Sequence, residues 1–284
     1  MPPRSNPTAR QVRLGVELRK MREAAGMPAR EAGALLGGGQ PQISHIETGR
    51  YGISEERVRR LAAFYKCADT ALIDSLAAMT YEQRGQGWWE DYRGTLPAPF
   101  LDLAELEHHA AYLCSIDITH IPGILQTEDY AHTVFSQTIP PLPQADLDAR
   151  VAHRMERRKI FERDEPPTHK AIIHEAALRM RFGGRKVTSG QLEYLQEQCE
   201  HPNITVRVVP FESEGYVGAS RAMLYAGGPV PKLDTVQVET ALGAAFLDAQ
   251  SHLDSYRTAF TAVEAAALSD ADSRDFIHTI AQEA

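Results

Sequence analysis

Three consecutive glycines, Gly37-Gly38-Gly39, stand between two short patterned segments and set the tightest limit on what this chain can build. A glycine run is a poor helix interior, so "PAREAGALL" before it and "QPQISHIETGR" after it read as two separate helices joined by a tight turn. On a helical wheel at about 100° per residue, Ile43 and Ile46 share one side, while Gln40, Pro41, Ser44 and His45 cluster opposite. One face is core; the other offers amide, hydroxyl and imidazole.

The flanking segments extend the pattern. "VRLGVELRKMREAAG" places Leu14, Leu18 and Met21 at i, i+4, i+7, with Arg13, Glu17, Lys20 and Glu23 off that stripe, and it ends at Gly26, a C-cap residue. Pro28 sits where the first turn of the next helix takes a residue without an N–H, and Ala32, Leu35 and Leu36 face inward. Ser54 caps a fourth helix that carries Glu55 and Glu56 in its first turn and buries Val58, Leu61, Ala62 and Tyr65. A fifth runs from about Asp69 to Met79. Five short helices with a tight turn between the second and third form a helix-turn-helix, whose later helix enters the major groove of DNA.

Charge agrees with that assignment only after it is divided along the chain. The net charge is −8, yet residues 1–66 hold twelve Lys/Arg against six Glu and no Asp, giving +6. The remainder holds eighteen basic and thirty-two acidic residues, giving −14. A basic amino-terminal unit on an acidic body suits phosphate binding by one domain alone. At 284 residues the chain has room for two domains of ordinary size. No apolar run approaches the roughly 18 residues of a membrane span, and "MPPRSNPTARQVRLG" lacks the apolar core of a secretory signal, so the expectation is a cytoplasmic protein. Cys67, Cys114 and Cys199 are far apart, with no C-x-x-C pair and no nearby histidine ligands. They read as reduced thiols, and neither metal nor cofactor is expected.

"LGVELRKMREAAGM", "AGALLG" and "QISHIETGR" together resemble the lambda-repressor-like, xenobiotic-response-element type of DNA-binding domain, over residues 1–79. The resemblance implies double-stranded DNA as partner. It puts Gln40, Pro41, Ser44 and His45 at base-facing positions and Gln42 and Arg50 at positions that favour phosphate. A Gln at the first of these can pair with adenine through two hydrogen bonds, whereas His and Ser discriminate less. The chain departs from the family pattern at the start of the second helix, where Pro28-Ala29 replaces a hydroxyl cap and a phosphate-reaching Gln. It departs again at Gly39, where the recognition helix usually has a hydroxyl cap.

Residues 80–99 read as an aromatic linker. "TYEQRGQGWWEDYRGTLPAPF" contains Trp88, Trp89 and Tyr92, which either wall a ligand site or anchor the linker on a neighbouring domain. Residues 100–284 read as an α+β domain, a mixed sheet flanked by helices. Leu101–Tyr112 is helical, Thr127 caps a helix with Glu128 and Asp129 in its first turn, and Leu147–Phe161 is a charged helix. "KAIIHE", "ITVRVVPF", "RAMLYAG" and "DTVQVE" are strand candidates. The first two enclose the helix "SGQLEYLQEQC" in a strand-helix-strand unit with a right-handed crossover, and the last two pair antiparallel. Leu253–Leu268 and Asp272–Glu283 close the chain as helices.

"GWWEDY", "IPGILQTEDYA", "HEAALRMRFGG", "QLEYL", "NITVRVVPF" and "ALSDADSRDFI", in this order, resemble the carboxy-terminal domain of a large family of actinobacterial helix-turn-helix regulators, often described as antitoxin-like. The genes of that family tend to adjoin one for a small partner protein. The resemblance implies a transcriptional regulator with a protein- or ligand-responsive domain and brings no catalytic motif. His174-Glu175 at a strand end, followed by Arg179, Arg181, Arg185 and Lys186, leaves a phosphate or nucleotide pocket open, but "RFGGRK" is neither a P-loop nor a dinucleotide fingerprint. No G-x-S-x-G or H-E-x-x-H occurs, and His108-His109 lacks a third ligand. The reading is therefore a noncatalytic homodimeric regulator whose acidic body binds a small partner protein. A ligand-gated regulator with a small-molecule or anion pocket is the alternative. Trp88, Trp89 and Tyr92 are the candidate partner anchors, and Arg181 and Arg185 the candidate anion ligands.

Overall fold

The computed structural model describes residues 6–81, 87–214, 222–240 and 243–283. Two compact units are present: Met1–Asp91 with Val230–Leu233, and Tyr92–Pro229 with Asp234–Ala284.

The first unit is helical: α1 (Ala9–Ala24), α2 (Ala29–Leu35), α3 (Gln40–Glu47), α4 (Glu55–Phe64) and α5 (Thr70–Ala78). Thr8 and Gln11 cap α1 reciprocally, each side chain accepting the other's backbone N–H. Ser54 and Asp69 cap α4 and α5 by accepting from the N–H of Arg57 and Leu72. Leu18, Ala32, Ile43, Ile46, Val58, Leu61 and Leu76 form the core, and Val230 and Leu233 belong to the same cluster. Lys232 meets Asp69 at 2.7 Å.

Helix α1 departs from its sequence stripe. Arg13 and Glu17, expected outside, are buried at 7% and 5% exposure. They pair with each other at 3.2 Å, and Arg13 also donates to the Lys232 carbonyl. A 3.6-residue stripe marks the apolar face but says nothing about what covers its flanks. Leu14 and Leu35, both expected inside, are only partly buried.

Two close approaches hold α3 in place. A methyl group on Gly15 would lie 2.6 Å from the carbonyl oxygens of Ile46 and Glu47, and one on Gly33 would lie 2.5 Å from the backbone of Gly39. Glycine at both positions lets α1 and α2 touch the two ends of α3 backbone to side. Arg22 of α1 then reaches Glu47 with two hydrogen bonds, 2.5 and 3.0 Å, and donates a third to the Met27 carbonyl at 2.8 Å.

The second unit contains α6 (Ala98–His109), α7 (Glu128–Ser136), α8 (Gln144–Arg157), α9 (Glu175–Arg179), α10 (Gly184–Cys199), α11 (Gln250–Ala266) and α12 (Asp270–Glu283). Its strands are β1 (Tyr112–Asp117), β2 (Thr168–His174), β3 (Ile204–Val209), β4 (Met223–Gly227), β5 (Thr235–Thr240) and β6 (Gly243–Leu247), in the order β3-β2-β1-β4-β5-β6. Strands β1, β2 and β3 are parallel, and β4, β5 and β6 add antiparallel. This is the mixed sheet flanked by helices that the sequence implied. Leu113, Ala171, Ile173, Val206, Val208, Leu224 and Ala226 face Tyr130 of α7, Leu192 and Leu195 of α10, and Ile277 and Ile280 of α12. On the other face Ile116, Ile172, Met223, Tyr225, Val236 and Val238 pack against Leu253, Phe260 and Val263 of α11. Burial on both faces explains the continuous apolar runs of β2 and β3.

Three expectations need correction. The helix expected over Leu101–Tyr112 stops at His109, and Tyr112 opens β1, a central strand. Its inward side chains are Leu113, Ser115 and Asp117, so two polar residues hide the alternation. Strand β6 was not expected, because "GAAFL" is a half-exposed edge with weak β-propensity. The charged helix expected to reach Phe161 ends at Arg157 and tightens into a 3-10 turn, Arg158–Glu162. Arg157 is itself buried and binds Glu107 of α6 through two hydrogen bonds, 2.7 and 2.5 Å.

Breaking a buried ion pair from one side strands the other charge, so Glu47→Ala is expected to cost about 3 kcal/mol or more of unit stability, whereas exposed Glu23→Ala costs under about 1 kcal/mol. Urea titration followed by circular dichroism compares the two. Acid sensitivity has a separate source in the second unit. Burial pushes the His169 imidazole down to about 4 and the His153 imidazole to about 3. An unfolded histidine takes its proton near pH 6.5, so these two stabilise fully above that value, and their contribution is lost as pH falls toward 4. Asp117, pushed up to about 7 by burial, works in the opposite sense. Denaturation midpoints measured from about pH 7.5 to 4.5 are therefore expected to fall less steeply for His169→Gln than for the wild type.

Candidate nucleic-acid interface

Helix α3 starts from Gly39 in an extended conformation, without a side-chain cap, and Pro41 lies in its first turn. Ile43 and Ile46 are buried at 1% and 3% exposure. Gln40, Pro41 and Ser44 are exposed, and His45 is half-buried with its ring 4.8 Å from that of Tyr51. Thr48 Oγ1 donates to the Ser44 carbonyl at 2.8 Å, tying off the last turn. The structure thus brings the amide of Gln40, the hydroxyl of Ser44 and the imidazole of His45 onto one short outer face. Gln42 is half-buried and folds over the turn, since a methyl on Gly38 would collide with its side-chain amide. Arg50 is exposed just beyond the helix.

Counting cations overstates the charge available to DNA. Arg13, Arg19, Lys20, Arg22 and Arg59 are engaged by Glu17, Glu23, Glu47 or Glu55 within the unit. Arg59 also meets Asp74 at 2.6 Å, and hydrogen bonds to Asp74 and Glu55 raise its pKa. Among the described residues, Arg30 in the first turn of α2, Arg50, Arg57 and Arg60 in α4 and Lys66 are exposed and form no ion pair, Arg60 lying over the Phe64 ring at 5.6 Å. Of these five, sequence reasoning singled out Arg50 alone. The i,i+4 pairs Arg19–Glu23 and Arg59–Glu55 were legible as spent cations, whereas the Arg22–Glu47 pair, 25 residues apart, was not.

The candidate residues of the rest of the chain are scattered. Trp89 is 5% exposed; Trp88 and Tyr92 are half-buried. The two indoles meet edge to face at 5.9 Å, and the Tyr92 ring meets His153 at 5.0 Å. Trp88 and Trp89 belong to the first unit and Tyr92 to the second. Arg181 and Arg185 are exposed where the chain enters α10, on either side of Gly183 and Gly184, whose φ values are +75° and +80°. His174 and Glu175 serve the backbone: His174 Nδ1 accepts from the Ala176 N–H, and Glu175 accepts from Arg179 and from the Phe211 N–H. Among the described residues no group of His, Cys, Asp and Glu could hold a metal ion, and no helix is long and apolar enough to cross a membrane.

Comparison with protein families gives two matches. Residues 13–76 match a helix-turn-helix domain, which supports a DNA-binding regulator. No curated protein and no solved structure matches the chain. Residues 100–279 match a domain of unknown function, DUF5753, and because that match spans well over half of the 284 residues, the protein belongs to the DUF5753 family.

Proposed function

We propose that this protein is a sequence-specific transcriptional regulator that binds duplex DNA as a homodimer through α3, with the second unit providing dimerisation and receiving the regulatory signal. The observation that carries the reading is the outer face of α3. Gln40, Ser44 and His45 present hydrogen-bonding groups on a segment whose charge is +6, with exposed Arg50 three residues past the end of the helix. Base edges are read by such side chains, and phosphates are met by the cations. One recognition helix of eight residues makes few contacts, so two copies on a two-fold site supply the affinity.

For the signal, the −14 charge outside the first 66 residues suits a small partner protein, encoded nearby, that docks on the acidic body. Trp88 and Tyr92 remain its candidate anchors, whereas Trp89, buried at 5% exposure, offers little surface to a partner. The second reading, a small-molecule effector, has a specific observation behind it: buried polar atoms of the second unit, Asp117 Oδ2, Arg154 Nε and Gln237 Nε2, have no hydrogen-bond partner among the described residues.

Gln40→Ala is expected to cost about 1 to 3 kcal/mol on the specific duplex and much less on random DNA, while Arg50→Ala weakens both and lowers the salt slope. Titrations at two salt concentrations on both duplexes check this, and equal losses for Gln40→Ala would remove its readout role. Sedimentation at micromolar concentration is expected to find a dimer. A monomer that still binds a palindromic site tightly would end the dimer proposal.

A further inference from the structure

The face of the sheet that packs on α7, α10 and α12 contains a polar patch with several atoms that the fold leaves unmet. Residues in register share a face, so Ser115 of β1, Leu224 of β4, Gln237 of β5 and Phe246 of β6 form one row across it. Two residues further along their strands, Asp117 and Glu239 project from the same face. Adjacent strands lie about 4.8 Å apart, so Ser115 and Gln237 stand about 10 Å from each other with a single leucine between them. Apart from His169 of β2, which meets the Ser115 hydroxyl at 3.2 Å, the rest of this face is apolar; here it carries a hydroxyl, an amide and two carboxyls.

The neighbouring helices add cations. Arg154 of α8 donates to Gln126 Oε1 at 2.6 Å and lies over the Phe135 ring at 4.3 Å. Gln126 is held in turn by the Ile121 carbonyl at 2.7 Å. A methyl on Gly123 would sit 3.4 Å from Arg154 Cζ, so the guanidinium lies against this loop. His120, in the same loop, stacks on Phe182 at 4.6 Å. The charges of Asp117 and Glu239 both act on Arg154, yet no ion pair joins it to either acid.

Three buried polar atoms in this patch have no hydrogen-bond partner among the described residues: Asp117 Oδ2, Arg154 Nε and Gln237 Nε2. One unmet group is a defect of ordinary size, costing about 1 to 3 kcal/mol. Asp117 keeps a hydrogen bond with Ser115 and Arg154 one with Gln126, yet each holds one unmet atom, and with the Gln237 amide these form a recognition surface for a molecule that returns a donor to the first, an anion to the second and an acceptor to the third. Other buried acids of the same unit are matched. Asp234 accepts from Tyr112, Tyr225, the Gly228 N–H and Arg257, and Glu107 accepts twice from Arg157.

We infer that the second unit holds a binding site for a small amino carboxylate, of the α-amino-acid class, between Asp117, Gln237, Arg154 and Gln126. The ammonium group is held by Asp117, with Glu239 adding charge at the rim. The carboxylate is held by Arg154, and the Gln237 amide donates to the ligand's remaining acceptor. This moves the effector site away from exposed Arg181 and Arg185. The inference rests on the small-molecule reading of the regulatory signal and is independent of how α3 reads DNA.

The test uses the full-length protein, with the twenty standard L-amino acids as probes and inorganic phosphate as the simple-anion probe. Thermal shift screens them and calorimetry follows. At least one amino acid is expected to raise Tm and bind with a measurable Kd. Asp117→Asn and Arg154→Met should each weaken that binding tenfold or more, while Arg181→Ala leaves it unchanged. Circular dichroism confirms that the variants are folded, and Gln237→Leu, which removes an unmet group without creating a new one, provides a second measure if either charge variant unfolds. Absence of binding by every amino acid, affinity that survives Asp117→Asn or Gln237→Leu, or binding of phosphate alone would overturn the site. DNA affinity of the ligand-free protein is measured in parallel. Intact operator binding with no amino-acid binding removes this inference and leaves the regulator reading standing, and the reverse result removes the regulator reading alone.

Discussion

Glu47, the last residue of α3, is buried beneath α1, and Arg22 meets both of its oxygens. The position of α3 depends on this contact. An eight-residue helix is well below the roughly 12 to 15 residues at which an isolated helix becomes even marginally stable in water, and Gly39 gives it no side-chain cap. Its order must therefore come from tertiary contacts. Ile43 and Ile46 supply burial but little direction, because apolar contacts tolerate rotation about the helix axis. The bidentate pair at one end and the glycine approaches at both ends fix rotation and depth together. The pair stabilises the charge on Arg22, whose pKa is raised chiefly by its hydrogen bond to Glu47. Burial, with Glu47 adding to it, pushes Tyr65 to about 12. With α3 fixed this way, its outer residues need no structural role and are free to meet a ligand.

The second unit treats its buried charges in two different ways. Asp234, at the start of β5, collects four donors and links β1, β4 and α11; Glu107 and Arg157 tie α6 to α8. These groups repay their desolvation inside the chain. Asp117 does so only in part: burial raises its carboxyl to about 7, and the hydrogen bond with Ser115 and the charge of Arg154 are only partial counterweights. A carboxyl so poised exchanges its proton near neutrality unless a cation is brought to it. The cost of leaving it unmet is borne by the rest of a well-packed core, with apolar layers on both sides of the sheet.

Local chemistry was legible in the sequence, and long-range pairing was not. Ser54 and Thr127 could be recognised as caps because capping joins residues three apart, and the three-glycine turn between α2 and α3 followed from backbone freedom alone. The strands β2 and β3 were visible because burial on both faces makes them continuous apolar runs. Strand β1 was hidden because Ser115 and Asp117 occupy inward positions that periodicity assigns to apolar residues. The rule failed at the place where the interior is polar, and that is also where the unsatisfied groups lie. Arg22–Glu47 and Arg157–Glu107, 25 and 50 residues apart, were invisible because a charged residue in a helix reads as solvated until its partner is known. The face of α3 was readable for the opposite reason: Gln40, Ser44 and His45 stand outside on a helix whose inner face is short and purely apolar.

Regulation by any ligand of the second unit requires more than occupancy. A molecule that binds the DNA-competent and DNA-incompetent states equally shifts nothing, however tight it is; only its differential affinity moves the equilibrium, and DNA must change its affinity by the same factor. An unmet polar patch is suited to this role in a way that a preformed apolar pocket is not. Closing Asp117, Arg154 and Gln237 onto a ligand gives hydrogen bonds to three unmet atoms at once. A displacement of α8 by a fraction of an ångström moves Arg154 relative to Asp117 on β1 and Gln237 on β5. The affinity difference between two arrangements of the unit is then set by directional contacts, each worth about 1 to 3 kcal/mol when charged groups are involved. Two or three such contacts match the 1 to 3 kcal/mol typical of allosteric coupling even if most of their strength is shared by both states.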